Sequence, residues 1–307
     1  MAVLARKKTA EYSEKLFSLL TAAAALLIVV MVGLIVGNIV FHGKDHLSWG
    51  FLASAPTEGM TAGGIFPAIY GTVLLVILMT VAVVPVGVMV AVYLSEYSSH
   101  TSVLYKATRL AVSNLAGVPS IVFGLFGLGF FVKFIGASTD RLFYGGQLVF
   151  GQPSILWAAL TLAVLTLPVV ILTTEDTLRS IPNEYREASM ALGATKFQTI
   201  VRVVLPQALA GIMTGGILAV SRGAGEVAPI LFTGAAYFLP ELPTKLNSQF
   251  MELGYHIYVL STQSPDVEAT KPILYSTVLV LLGLTFLLNV IAILIRSQMR
   301  LRLRRTA

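Results

Sequence analysis

Arg222 and Glu226 stand four residues apart in the run Ser221-Arg222-Gly223-Ala224-Gly225-Glu226-Val227-Ala228-Pro229, inside a stretch of chain that is otherwise apolar. A guanidinium suits one chemistry in such a place: its planar fork donates two parallel hydrogen bonds to an oxyanion such as phosphate. Charge inside an apolar span is costly, so its presence points to function, and the i, i+4 spacing puts both groups on one helical face where they pair. Arg222 is therefore an expected anion contact in a pathway, with Glu226 holding the guanidinium when the site is empty. A structural ion pair that locks the span against a neighbour fits the spacing as well. Gly223, Gly225 and Pro229 let the helix bend or open here, leaving backbone groups available to an anion.

Other chemistries lack their residues. The chain of 307 residues has no cysteine, which excludes disulfides and thiolate catalysis or ligation. Its four histidines, His42, His46, His100 and His256, are scattered outside the apolar runs and read as loop residues rather than metal ligands. No acid pair and no nucleophile beside a base lies in the spans, so no catalytic residue, metal or resident cofactor is expected. The G-x-x-x-x-G-K-[ST] phosphate loop is absent as well. This chain therefore has no evident means of holding ATP itself.

A second constellation is Glu187-Ala188-Ser189-x-x-x-Gly193, followed after nine residues by Val203-x-Leu205-Pro206. With Ser180 as a cap and Pro182 in the first turn, Tyr185, Ala188, Ser189 and Leu192 follow helical spacing. Gly193 breaks that helix, Thr195 caps another, and Phe197, Ile200, Val201 and Val204 line one face of it until Pro206. Two short helices meeting at a glycine make a rigid knob that a motor subunit can push, with Arg186, Glu187, Lys196 and Arg202 orienting it. Glu187, Ala188, Gly193, Leu205 and Pro206 are the expected coupling residues. An amphipathic loop lying on the membrane surface is the competing reading.

The elements that must position these groups are membrane helices. The chain is 56% hydrophobic and only 12% charged, too apolar for a soluble protein of this length. Apolar runs predict an all-α polytopic protein with six spans, at about 16–40, 67–94, 109–135, 153–174, 208–238 and 272–296, in one domain over 1–307. The run from Leu16 to Val40 exceeds the roughly 7–15 residues of a signal h-region, so it reads as a retained span. The N-terminus, the 95–110 loop, the 175–207 loop and the C-terminus hold 15 Lys and Arg; the three opposite loops hold only Lys44, Arg141, Lys245 and Lys271. Both termini and the 175–207 loop are thereby expected in the cytoplasm. The cluster Arg296, Arg300, Arg302, Arg304 and Arg305 reads as a topological anchor, and with no basic face interleaved by aromatics, nucleic-acid binding is not expected.

The Glu187 to Pro206 spacing resembles the coupling loop of ABC importer permeases, with Ser189 for Ala and Val203 for Ile. A closer resemblance, to the permeases of phosphate-specific transport systems, runs from the second span through the fifth. It is carried by Gly63-Gly64-Ile65-Phe66-Pro67-Ala68-Ile69-Tyr70-Gly71-Thr72, Tyr93-Leu94-Ser95-Glu96-Tyr97, Ala116-Gly117-Val118-Pro119-Ser120-Ile121-Val122-Phe123-Gly124-Leu125, Gly211-Ile212-x-Thr214-Gly215 and Arg222-x-x-Gly225-Glu226-x-Ala228-Pro229. Val227 stands where that family is expected to have Thr.

The resemblance implies a type I importer permease fold in a bacterial inner membrane and ATP-driven import of inorganic phosphate. It also implies partners: a second homologous permease, two ATP-binding subunits and a periplasmic phosphate-binding protein. Pro119 frees a carbonyl that Ser120 or Asn114 can satisfy, or these residues line a cavity, which makes Ser120 a pathway candidate; packing through Gly117, Gly124, Gly127 and Gly129 is the alternative. A permease for sulfate or molybdate would use Arg222 equally well, and an ion-coupled carrier or channel would have no use for the coupling loop.

Overall fold

Among the residues described in the computed structural model, six helical segments are long and apolar enough to cross a membrane: Glu14–His46, Phe66–Tyr97, Ser120–Phe143, Ile155–Ser180, Lys196–Gly223 and Val267–Met299. Residues 2–99, 101–264 and 266–306 are described, the side chains of 2–13 and 300–306 excepted. His100 and the side chains of Arg6, Lys7, Lys8, Arg300, Arg302, Arg304 and Arg305 lie outside that set.

Helix α1 (Ala2–Gly43) forms the first span, and a short α2 (Trp49–Ala53) with a two-residue ribbon, β1 (Pro56–Thr57) antiparallel to β2 (Ala62–Gly63), leads to the second. That second span is α3 (Phe66–Val92), extended by a π turn over Tyr93–Tyr97. An amphipathic α4 (Val103–Ala116) precedes the third span, which is built from α5 (Ser120–Gly127), a π segment over Leu128–Gly136 and α6 (Ala137–Phe143). The fourth span is α7 (Ile155–Arg179). Then come α8 (Asn183–Ala191), α9 (Lys196–Thr199), a π turn over Ile200–Val204, α10 (Leu205–Gly223), a single turn α11 (Ala228–Leu231), α12 (Leu253–Thr262) and the sixth span α13 (Val267–Thr306).

Helix α7 is the centre of the bundle because it is apolar on nearly every side and so must be enclosed. Leu162, Leu165, Ile171 and Leu178 are fully buried, against α3 on one side and α10 on another. The core around them joins Leu75, Met79 and Val83 of α3 to Ala158, Ala159 and Val170 of α7 and Ala219 of α10. The Gly211-x-x-x-Gly215 pair explains how closely α10 approaches: a Cβ at either position would collide with Thr177 or Thr173 of α7. Those threonines donate inward to their own helix, at 2.7 Å to the Thr173 and Val169 carbonyls, so they pack without stranding a hydroxyl.

Two spans lie elsewhere than hydropathy places them. The third begins at Ser120, not near 109, because Gly117-Val118-Pro119 interrupts the apolar run: a proline has no N–H to give the preceding turn, and the residue before it is pushed from helical backbone. The fifth ends at Gly223, not near 238. The apolar residues that follow do not span; Pro229, Ile230 and Thr233 are buried, and α11 packs against α5, where a Cβ at Gly124 would lie 2.8 Å from the Ala228 carbonyl.

At the end of the bundle away from the α8–α9 loop, the buried Asp140 of α6 accepts three backbone N–H groups, from Val149 at 3.0 Å, Phe150 at 2.8 Å and Gly151 at 2.7 Å. Trp157 Nε1 donates to the Phe150 carbonyl at 2.7 Å, which ties the same segment to the start of α7. Asp140→Ala leaves three amides without their carboxylate acceptor and is expected to destabilise the fold. A thermal-unfolding midpoint several degrees lower in detergent checks this; an unchanged midpoint would mean the amides find other acceptors.

Candidate functional site

The α8–α9 loop has the jointed form its residue types demand. Pro182 precedes α8 as its cap, whereas Ser180 closes α7, so the proline and not the serine starts the helix. Gly193 has φ +85°, a left-handed conformation that only glycine enters without strain. Thr195 then forms a reciprocal capping box with Gln198: its hydroxyl accepts from the Gln198 N–H at 3.3 Å while the Gln198 side chain accepts from the Thr195 N–H at 2.9 Å. Ser189 hydrogen-bonds Thr199 across the joint at 3.0 Å, so the serine at that position pins the two helices together.

The second helix does not stop at Pro206. Residues 196–223 run as one continuous helical path, and the π turn over Ile200–Val204 shifts the bonding register just where Pro206 has no N–H to offer. One continuous helical path therefore joins α9 to Arg222. Of the five expected coupling residues, Glu187, Ala188 and Gly193 are exposed, while Leu205 and Pro206 are half-buried at the root of α10. Leu192 is 90% exposed and Phe197 67% exposed, two large apolar side chains flanking the glycine joint and left uncovered among the described residues.

Arg186 fastens the loop to the bundle. Its guanidinium pairs with Glu96 at 2.7 Å and donates to the Leu178 and Ile181 carbonyls at 2.8 Å each, closing the end of α7. Both side chains are largely buried, so removing one strands the other. Arg186→Ala is expected to cost about 3–5 kcal/mol and to loosen α8. Faster cleavage of the 180–200 loop by protease in intact membranes would register it; an unchanged rate would show that the loop holds itself.

At the other candidate position, Arg222 Nε meets Glu226 Oε1 at 3.4 Å, with side-chain exposures of 39% and 22%. The expected pair forms, but across a helix end and not within a continuous span. Gly225 and Glu226 donate to the Arg222 and Gly223 carbonyls at 3.3 and 3.5 Å, long bonds that mark a weakly held turn. Ser120 is half-buried in the first turn of α5, after Pro119. It makes no direct contact with Arg222 among the described contacts, but its helix packs, one turn on at Gly124, against Ala228 and Pro229 beside the break.

A clamp the sequence did not disclose closes the far side of that break. Glu252 caps α12, accepting from Gly254 N at 2.8 Å and Tyr255 N at 2.7 Å and facing Thr72 Oγ1 at 3.4 Å. Burial pushes its carboxyl up to about 7 in spite of those donors, and burial likewise drops His256, one turn along, to about 4, keeping it neutral. Gly254 lies hard against Val227, so the clamp touches the Arg222 to Pro229 run directly.

A membrane-spanning bundle that presents a jointed helical knob with uncovered apolar tips, joined by one continuous helix to a charged helix break, fits one class: the membrane subunit of a transporter worked by a separate motor. The chain belongs to the family of binding-protein-dependent transport system inner membrane components, which matches residues 83–305. It is thus a multi-pass inner-membrane permease. It is 33% identical over 278 residues to the probable ABC transporter permease protein YqgI of Bacillus subtilis, covering 86% of this chain and 88% of that one. It is 30% identical over 268 residues to the probable phosphate transport system permease protein PstA of Methanocaldococcus jannaschii, covering 87% and 88%. Identity reaches 42% over 170 residues with the phosphate transport system permease protein PstA 1 of Mycobacterium tuberculosis; that match spans 55% of this chain and about half, 51%, of the relative. Among solved structures, a bacterial importer of the acidic polysaccharide alginate has the same fold, with TM-score 0.66 and 15% identity over 92% of this chain and 95% of that one. The MetNI methionine ABC transporter aligns with TM-score 0.53 and 19% identity over 77% and 94%.

Proposed function

We propose that the chain is one of two permease subunits of an ATP-driven importer of inorganic phosphate, forming half of the pathway and taking its drive from separate ATP-binding subunits. The observation that carries the substrate is Arg222: a half-exposed guanidinium at a weakly held helix break, held by one carboxylate at 3.4 Å, a long contact that an incoming oxyanion can displace. Relatives named for phosphate transport, aligned over most of this chain or over half of it, support the same choice.

The orientation follows from charge. The loop side carries 15 of the 19 Lys and Arg that lie outside the spans, which puts both termini and the α8–α9 knob in the cytoplasm, within reach of the motor. Leu192 and Phe197 seat in a groove of the ATPase, with Glu187, Ala188 and Gly193 shaping the docking face. Leu205 and Pro206 act as the root through which the push enters α10. Closure of the ATP-bound motor moves α9 and α10 as one piece, and Arg222 moves with them. Glu226 releases the guanidinium when phosphate arrives and recaptures it when phosphate leaves; Ser120 borders the same pathway. ATP and Mg are held by the partner subunits, and a periplasmic phosphate-binding protein delivers the solute.

The test is uptake of labelled phosphate by proteoliposomes holding the whole complex, in competition with other oxyanions. Unlabelled phosphate should suppress uptake, and sulfate or molybdate in tenfold excess should not. Equal suppression by sulfate would reassign the substrate.

A further inference from the structure

One buried charge cluster plays no part in the account so far. Glu175 lies one turn before the end of α7, is wholly buried, and gathers three groups on a single oxygen. Arg179 Nη2 donates to Oε1 at 2.6 Å, Tyr105 OH at 3.4 Å, and Arg109 Nη1 stands 3.6 Å away. Arg109 also donates to Tyr105 OH at 2.7 Å, and Arg179 donates to the same hydroxyl. The Tyr105 hydroxyl first, and the Glu175 carboxylate second, raise the Arg109 guanidinium above its ordinary value. The second carboxylate oxygen, Oε2, is buried with no hydrogen-bond donor among the described residues. A half-satisfied buried carboxylate is an expensive way to hold two helices together, since apolar packing does so at no desolvation cost.

Its position supplies a reason. Tyr105 and Arg109 belong to α4, the segment joining the second span to Pro119-Ser120 at the start of the third. Arg179 ends α7, three residues before Pro182 opens the knob. Glu96, just upstream of α4, is the residue that grips Arg186 in the knob. Thus α4 is fastened to the end of α7, from which the driven loop departs, while the turn just before α4 holds that loop through Glu96 and Arg186. The far end of α4 feeds α5, which bears on Ala228 and Pro229 through Gly124. The helix break at 224–227 lies between two levers: α10 arrives from the knob directly and carries Arg222, and α4 with α5 arrives by the second route and bears on α11.

We propose that Glu175 is a positioning residue for coupling: with Tyr105, Arg109 and Arg179 it clamps α4 to the base of α7, so that displacement of the α8–α9 knob reaches α5 and shifts α11 relative to Arg222. This rests on the reading of the chain as a permease driven through that knob. An ion cluster suits the task because a few ångströms of movement re-sorts its donors between Oε1 and Oε2, giving two discrete arrangements where packed side chains would give one.

The test is the ratio of solute taken up to ATP hydrolysed, measured on the complete complex in proteoliposomes. Glu175→Gln, which keeps size and removes charge, is expected to lower the ratio about tenfold with ATP hydrolysis retained. Tyr105→Phe, which removes one hydroxyl and keeps the ring, should lower it in the same direction and by less. A merely structural role would reduce the amount of assembled complex and leave the ratio per complex untouched, and that result in Tyr105→Phe overturns the proposal even where Glu175→Gln fails to assemble. If the unsubstituted complex hydrolyses ATP but carries another oxyanion, phosphate is the wrong substrate, and the ratio is read with that ion instead.

Discussion

Arg222→Gln is expected to lower phosphate uptake by about 100-fold or more, with the complex still assembled at its normal level. The guanidinium offers two charge-assisted hydrogen bonds to one oxyanion, each worth about 1.5 kcal/mol or more, and every 1.4 kcal/mol is a factor of ten. Glutamine keeps a polar end on a shorter side chain but supplies neither charge nor fork, and it frees Glu226 to repel the incoming anion. Assembly should survive because the Arg222 side chain is 39% exposed and its one ion pair is long, so the core loses little. Arg222→Lys should fall between the two, since it restores the charge without the planar fork. Uptake that is unchanged in Arg222→Gln would make this arginine structural and send the search for an anion site elsewhere.

Gly193→Asp is expected to uncouple the subunit from its motor. The position has φ +85° and open space around it, so the cost is not a collision within this chain. A side chain in left-handed backbone costs roughly 1–2 kcal/mol, which the short α8 and α9 can relieve by reopening the joint between Leu192 and Phe197. The carboxylate would also sit beside these two apolar tips, where a docked partner would have to desolvate it. Recovery of ATPase subunits with the tagged permease should fall about tenfold, and uptake with it. Gly193→Asn, whose side chain tolerates left-handed backbone better and carries no charge, should retain much more of both. Normal uptake in the aspartate variant would remove Gly193 from the coupling mechanism.

What could be read in advance was what local chemistry dictates. Gly193 needs a left-handed turn and Thr195 needs a nearby N–H, and both found them. Arg222 and Glu226 are four residues apart, close enough to pair even though the helix ends between them. Hydropathy failed where an apolar residue has two uses: Ala228 to Phe232 are apolar in order to pack a short turn against α5, and a window of composition cannot tell that from spanning. It failed again at 109–119, where the apolar positions of α4 blend into the third span and only Pro119 separates them. The continuation of the helix through Pro206 depends on a π turn, which has no residue signature of its own. The ion pairs were the least visible. Glu96 meets Arg186 across 90 residues, and Tyr105 meets Glu175 across 70, distances over which charge type in one chain names no partner.

The central claim is that this permease moves phosphate only when a separate ATPase drives it through the α8–α9 knob. The most direct measurement is phosphate accumulation in proteoliposomes containing both permeases, the phosphate-binding protein and the ATP-binding subunits, with ATP supplied on the side of the ATPases. Phosphate should accumulate against its gradient with ATP, and accumulation should cease when the ATP-binding subunits are omitted or ATP is replaced by a non-hydrolysable analogue. Transport of phosphate by the permeases alone, at a rate indifferent to ATP, would contradict the account.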